Sequence, residues 1–310
     1  MNLAGSKRAG TALLLLLVAA CSPKAGSTPA SLNPSPSLVS SPSALPSPTP
    51  TKLAFESDVA MAHTRYLVEE VGIRNSGSIG DQKAREYLSS VFGSLGLDVE
   101  EDPFVRVDGS RTANVIGRVP GANLSNGYVV VGAHFDTEPQ TRGANDNASG
   151  TGVLLALAES FASSKIPVEF VAFGAEEFDY VNMTGLEGSK HYLANLEDRS
   201  QLKAMISIDM VGNGLVARIL RTDELSSGLQ AEFLSLGREI GLSVVSQMGG
   251  SLSDHATFTR VGIPAIHLWS GPHPTVHKPS DTMEVVQEVS VDRIGTLAHA
   301  WLVRRYGLSQ

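Results

Sequence analysis

The chain has 310 residues, 42% hydrophobic and 18% charged, a composition that supports a sizeable buried core and excludes a fibre. Its formal charge is −8, and setting aside residues 1–20, which carry Lys7 and Arg8 but no acids, leaves 22 basic against 32 acidic side chains, a balance that argues against a nucleic-acid partner. The single cysteine, Cys21, excludes an intramolecular disulfide and a thiolate-rich zinc site, so any metal must be held by histidines and carboxylates.

In chain order, residues 1–10 carry the two positive charges, and residues 11–20 (TALLLLLVAA) form an apolar run too short to span a bilayer. Small residues follow, as in a secretory signal peptide. The ending Val18-Ala19-Ala20-Cys21 resembles the bacterial lipobox, which implies cleavage before Cys21 and acylation of its thiol. Ser22–Lys52 holds eight of the sixteen prolines and no helical or strand periodicity, so residues 21–52 read as a lipidated cysteine and a disordered tether. An extracytoplasmic protein, anchored to the membrane through Cys21, is expected.

About 255 residues remain, enough for one large domain spanning 53–310. Ala84, Leu88, Val91, Phe92 and Leu95 recur at helical spacing before Gly96. The runs Asn114–Val119, Tyr128–Ala133, Val168–Phe173, Ala204–Val211 and Ala265–Trp269 are short, β-branched and almost continuously apolar, as central strands covered on both faces should be. Helical stretches at about 149–163, 186–196, 226–240 and 290–306 lie between or after them. The pattern predicts an α/β fold, a three-layer α/β/α domain with a central mixed, largely parallel sheet.

Polar residues gather where these strands end. His134 and Asp136 follow the second predicted strand, and a loop then delivers Gly143-Ala144-Asn145-Asp146-Asn147-Ala148-Ser149-Gly150. Glu176 and Glu177 follow the third strand, Asp209 lies near the end of the fourth, and His277 sits in the loop after the fifth. Each is weak evidence alone; together, two imidazoles and three carboxylates suit two zinc ions if one carboxylate bridges them, the arrangement of a two-metal hydrolase. Adjacent Glu176 and Glu177 point apart in an extended chain, so one can bind metal while the other moves protons.

These segments resemble the zinc aminopeptidases of the M28 peptidase family. The resemblance runs from about residue 113 to 285 and carries His-x-Asp, Gly-Ala-Asn-Asp-Asn-Ala-Ser-Gly, Glu-Glu, a strand Asp, Ser253-Asp254-His255 and His-x-Pro-x-Asp-Thr in order. It implies that His134 and Asp209 bind one zinc, that Glu177 and His277 bind a second, that Asp146 bridges them, and that Glu176 is the general base. Asp136 would fix the His134 tautomer in support of catalysis, a cis peptide bond would join Asp146 and Asn147, and the substrates would be peptides. Asp254 and His255 could equally shape the substrate side or stabilise the loop.

Two departures stand out. Many relatives have a tyrosine before the last histidine ligand, where this chain has Val276, and Phe178–Thr184 is longer than in compact relatives. Glutaminyl cyclases, which share the fold and much of the ligand set, other amidohydrolases on it, and a non-catalytic surface lipoprotein remain open alternatives.

Overall fold

The computed structural model describes residues 54–250 and 253–308. The expected leader, Cys21 and the tether lie outside the described residues.

The first helix, α1 (Ser57–Tyr66), continues into a single π-helical turn at Leu67–Val71. Helix α2 (Ile79–Ser94) starts where the Ser78 side chain accepts a hydrogen bond from the Asp81 N–H, and it ends against Gly96 at φ +76°, the left-handed stop the sequence predicts. The strands are β1 (Asp98–Val105), β2 (Arg111–Arg118), β3 (Tyr128–His134), β4 (Val168–Phe173), β5 (Leu202–Ile208), β6 (Ala217–Arg221), β7 (Val244–Met248) and β8 (Ala265–Trp269). Between and after them run α3 (Ser149–Phe161), α4 (Glu187–Asn195), α5 (Ser227–Glu239), α6 (His255–Arg260) and α7 (Glu288–Tyr306).

All eight strands form one sheet in the order β1-β2-β4-β3-β5-β8-β6-β7. The central four, β4, β3, β5 and β8, are mutually parallel, while β2 and β6 join them antiparallel. These centres are four of the five predicted apolar runs, the fifth falling on β2, and every residue of β3 and β4 is buried. Alternation divides them between two cores. Val129, Val131, Phe170 and Ala172 pack with residues of α1, α2, α3, α5 and α7. Tyr128, Val130, Val171 and Phe173 pack on the opposite face with Tyr192 and Leu193 of α4 and Phe258 of α6. Helices therefore cover both faces, as a three-layer α/β/α protein requires.

Three strands went unpredicted. β1 has one fully buried position and carries Pro103, and β7 has none. Both lie at sheet edges, where polar faces and proline are tolerated. Among the described residues no helix is long and apolar enough to cross a membrane.

Candidate metal centre

The parallel strands β3, β4, β5 and β8 place their carboxyl ends together, where α/β sheets present ligands. His134 is the last residue of β3 and is almost wholly buried; its carbonyl accepts a hydrogen bond from Thr151 Oγ1 at 2.8 Å. Its Nε2 lies 3.3 Å from Asp146 Oδ1 and 3.4 Å from Asp209 Oδ1. Across the site, His277 Nε2 lies 3.3 Å from Asp146 Oδ2 and 3.1 Å from Glu177 Oε2. Each oxygen of Asp146 thus faces a different imidazole.

Asp146 is held by a network of side chains. Asp281 accepts hydrogen bonds from the Asn145 and Asp146 N–H groups at 2.9 and 3.0 Å. Asn147 donates to the Ile208 carbonyl, and its oxygen accepts from the Gly150 and Met210 N–H groups. Asn145 Oδ1 and Ser149 Oγ accept from Gly212 and Val211. The loop before α3 is thereby sewn to the exit of β5, which carries Asp209. That approach needs Gly150, since a Cβ there would meet the Ile208 oxygen at 2.2 Å. The Asp146–Asn147 peptide is cis, as expected.

Asp136 works in two directions. Its Oδ1 lies 3.5 Å from His134 Nδ1, and its carboxylate accepts from the Glu176 and Glu177 N–H groups at 3.0 and 3.2 Å. It therefore also positions the two glutamates. Ala175, Met210 and His277 all take left-handed φ, at 54°, 53° and 56°, a conformation non-glycine residues keep only where the surroundings impose it. Ala175 and Met210 adjoin the glutamates and Asp209, and His277 is itself the last histidine of the site.

Several contributors had no assigned role in the sequence. Asp281 lies inside the His-x-Pro-x-Asp-Thr pattern, which was the available signal. Arg74 is fully buried and donates to the carbonyls of Leu67, Gly72, Phe135, Arg142 and Gly143, fixing both ends of the loop between His134 and Asp146. No local pattern announces it. Glu138, two residues beyond Asp136, is brought beside Glu177 and His277 by that same loop.

The residues fit metal ions. Ligand atoms of His134, Asp146 and Asp209 lie within 4.8 Å of one another, as do those of Glu138, Glu177 and His277. Asp209 Oδ1, Glu177 Oε1 and Glu138 Oε1 are buried without a hydrogen-bond partner. Such a concentration of buried carboxylate oxygens is unfavourable without cations, and mixed imidazole and carboxylate donors suit a borderline divalent ion.

Electrostatics without metal shows the same need. Burial, reinforced by Asp146, pushes Glu177 up to about 8, and burial pushes Asp254 up to about 7. Hydrogen bonds to Asp146 and Glu177 raise His277 to about 11. Burial drives Glu176 well above the carboxylate range, with the charges of Asp254, Asp209 and Glu177 adding to it and His134 opposing. Burial also pushes Asp146 upward, but hydrogen bonds from His134 and His277 prevail and hold it low.

Free Glu177 and Asp254 would ionise near 4.5 and 3.8, so above those values the folded metal-free protein retains protons that the unfolded chain has released. Its stability therefore falls as pH rises towards 7 and 8, and the contribution of raised His277, complete below 6.5, fades towards 11. Divalent cations replace those protons. The Tm gap between metal-loaded and chelator-stripped protein is expected to widen between roughly pH 5 and pH 8. A gap independent of pH in calorimetry would contradict this.

Asp254 is fully buried, with neither carboxylate oxygen hydrogen-bonded. It does not line the cavity, and its proximity adds to the rise of Glu176. That cavity, about 520 Å³, is bordered by Asp146, Glu176, Glu177 and His277 and walled by Phe178, Met183, Leu186 and Val276. The 178–184 segment is a closed turn: Asp179 accepts from the Val181 and Asn182 N–H groups and pairs its backbone with Thr184.

Fold and site together define the class: a three-layer α/β protein with a histidine–carboxylate candidate metal centre at its parallel strand ends. The chain belongs to Peptidase family M28, whose family model matches residues 114–302. Aminopeptidase YwaD of Bacillus subtilis strain 168 is 31% identical over 202 residues, 60% of this chain and 43% of that protein. Leupeptin-inactivating enzyme 1 of Streptomyces exfoliatus is 28% identical over 249 residues, 76% of this chain and 54% of the relative. The chain thus spans about half the length of these curated relatives. The structure of BSAP, a zinc aminopeptidase from Bacillus subtilis, shares the fold with a TM-score of 0.75 at 19% identity, covering 82% of this chain and 96% of that one. A Porphyromonas gingivalis glutaminyl cyclase shares it with a TM-score of 0.71 at 22% identity, covering 81% and 99%.

Proposed function

We propose that this protein is a di-zinc aminopeptidase that hydrolyses the N-terminal peptide bond of peptides. The observation that carries the reading is Asp146, whose two oxygens each stand 3.3 Å from a different imidazole. His134 and Asp209 would hold one zinc, Glu177 and His277 the other, with Asp146 shared. When bound, the ions supply Lewis acidity towards the scissile carbonyl and lower the pKa of an attacking water. Glu176 borders the cavity and belongs to neither ligand group, leaving its carboxylate free to take the proton of that water and return it to the departing amine nitrogen. Asp136 holds Glu176 through its N–H and stands 3.5 Å from His134 Nδ1, on the side of the ring away from Asp146 and Asp209. Val276 contributes an apolar wall, and its side chain offers no hydrogen-bond donor to the carbonyl oxygen.

Relatives named as aminopeptidases and the family membership support this assignment. Aminoacyl-anilides with free and blocked amines, assayed with and without chelator, test it. Chelator-sensitive turnover confined to free amines is expected; equal cleavage of blocked substrates would refute the exopeptidase reading. The shared fold of the glutaminyl cyclase makes product analysis on glutamine-headed peptides the second arm: released glutamine marks a peptidase, pyroglutamyl peptide a cyclase. Purified protein with neither metal nor turnover would favour the non-catalytic surface module.

The proposal extends to location: an extracytoplasmic enzyme tethered to the membrane through acylated Cys21 and the 21–52 segment, with the catalytic domain from residue 53. Detergent-phase partitioning of the full chain, lost in Cys21→Ser, tests the anchor.

A further inference from the structure

We propose that Glu138 is a fourth protein ligand on the Glu177/His277 side of the metal centre, making that position the tighter of the two. The inference rests on the two-metal reading above. A Glu138 oxygen lies within 4.8 Å of ligand atoms of both Glu177 and His277, close enough for one ion to touch all three. Glu138 Oε1 is buried and has no hydrogen-bond partner, and neither has Oε1 of Glu177, itself only 8% exposed. Two orphaned carboxylate oxygens beside one imidazole call for a cation between them. Arg106 borders the neighbouring cavity that Glu138 also lines, but its guanidinium is engaged by Asp108, Glu187 and, at 4.0 Å, Asp179.

The loop is built to hold Glu138 there. Arg74 fixes its ends through the Phe135, Arg142 and Gly143 carbonyls, Thr141 N–H donates back to the Glu138 carbonyl, and Pro139 stiffens the next position. Gln140 Nε2 donates to the His277 carbonyl at 3.1 Å, locking this loop to the one that carries the last histidine. Asp146, Glu177, His277 and Glu138 then supply four protein ligands on one side, against three from His134, Asp209 and Asp146 on the other. Four protein ligands close a tetrahedral site, whereas three leave a position for water. The His134/Asp209 side, with three protein ligands, would keep one coordination position for water.

The test is zinc binding by the full chain, followed by elemental analysis and by competition against a chromophoric chelator, with Glu138→Gln beside the parent. The parent is expected to bind two ions with unequal constants. Glu138→Gln is expected to weaken the tighter one by roughly 10- to 100-fold, leave the other unchanged, and keep the thermal melt of the metal-free form. Cobalt substituted at the tighter position should change its visible absorption in the variant. Two unchanged zinc constants would overturn the assignment, and a raised KM alongside them would place Glu138 on the substrate instead. A parent that takes up no zinc would overturn the metal centre itself, and this assignment with it.

Discussion

A Glu176→Gln protein is expected to lose roughly 10²- to 10⁴-fold in kcat on aminoacyl-anilides while retaining its zinc. The reasoning begins with the backbone. Ala175 turns the chain at φ 54°, and Asp136 then accepts the N–H groups of both following residues, so the two glutamates leave the strand end in fixed and different directions. Glu177 reaches His277 at 3.1 Å. Glu176 joins neither candidate ligand group and borders the cavity. Glutamine keeps the shape and removes only the ability to accept and return a proton. Elemental analysis separates this from a ligand role: a variant whose metal content falls in parallel with kcat would make Glu176 a ligand, and one with full turnover would exclude it as the base.

Arg74→Met is expected to destabilise the protein by about 3–5 kcal/mol, the range for removing one partner from a buried charged network. Arg74 is fully buried and donates to five carbonyls on two segments, and methionine would leave those acceptors without partners. Its burial lowers the guanidinium to about 10, although Asp136, Asp281, Glu177 and Asp146 all favour its charge. In a domain of this size the loss corresponds to roughly 10 °C in Tm, read by calorimetry at fixed metal concentration. Because the same carbonyls bracket the loop from His134 to Asp146, metal affinity should fall as well. A variant within about 1 kcal/mol of the parent would show that Arg74 is not the clamp its contacts describe.

Much of the fold was legible because the central strands are buried on both faces. Val168–Phe173 and Ala265–Trp269 are predicted at their observed bounds, since a continuous apolar run flanked by polar residues has little other use. Strands β1 and β7 were not legible, since an edge strand with exposed positions reads like loop. Helix α1 escaped for a related reason, with only Ala60 and Thr64 buried. The site follows the same division. His134, Asp146, Glu177, Asp209 and His277 sit in short ordered motifs, and the structure gathers all five into one cluster.

The sequence by itself determined the apolar strands, the turn that brings Asp146 forward and the kinds of ligand atom available, because strand burial and donor chemistry are properties of local residue type. Only the tertiary structure decided that Asp146 offers one oxygen to each imidazole, that Arg74 clamps the loop, and that Glu138 stands beside Glu177 and His277. Those relations join residues 12 to 139 positions apart, and their distances are set by the order in which parallel strands pack.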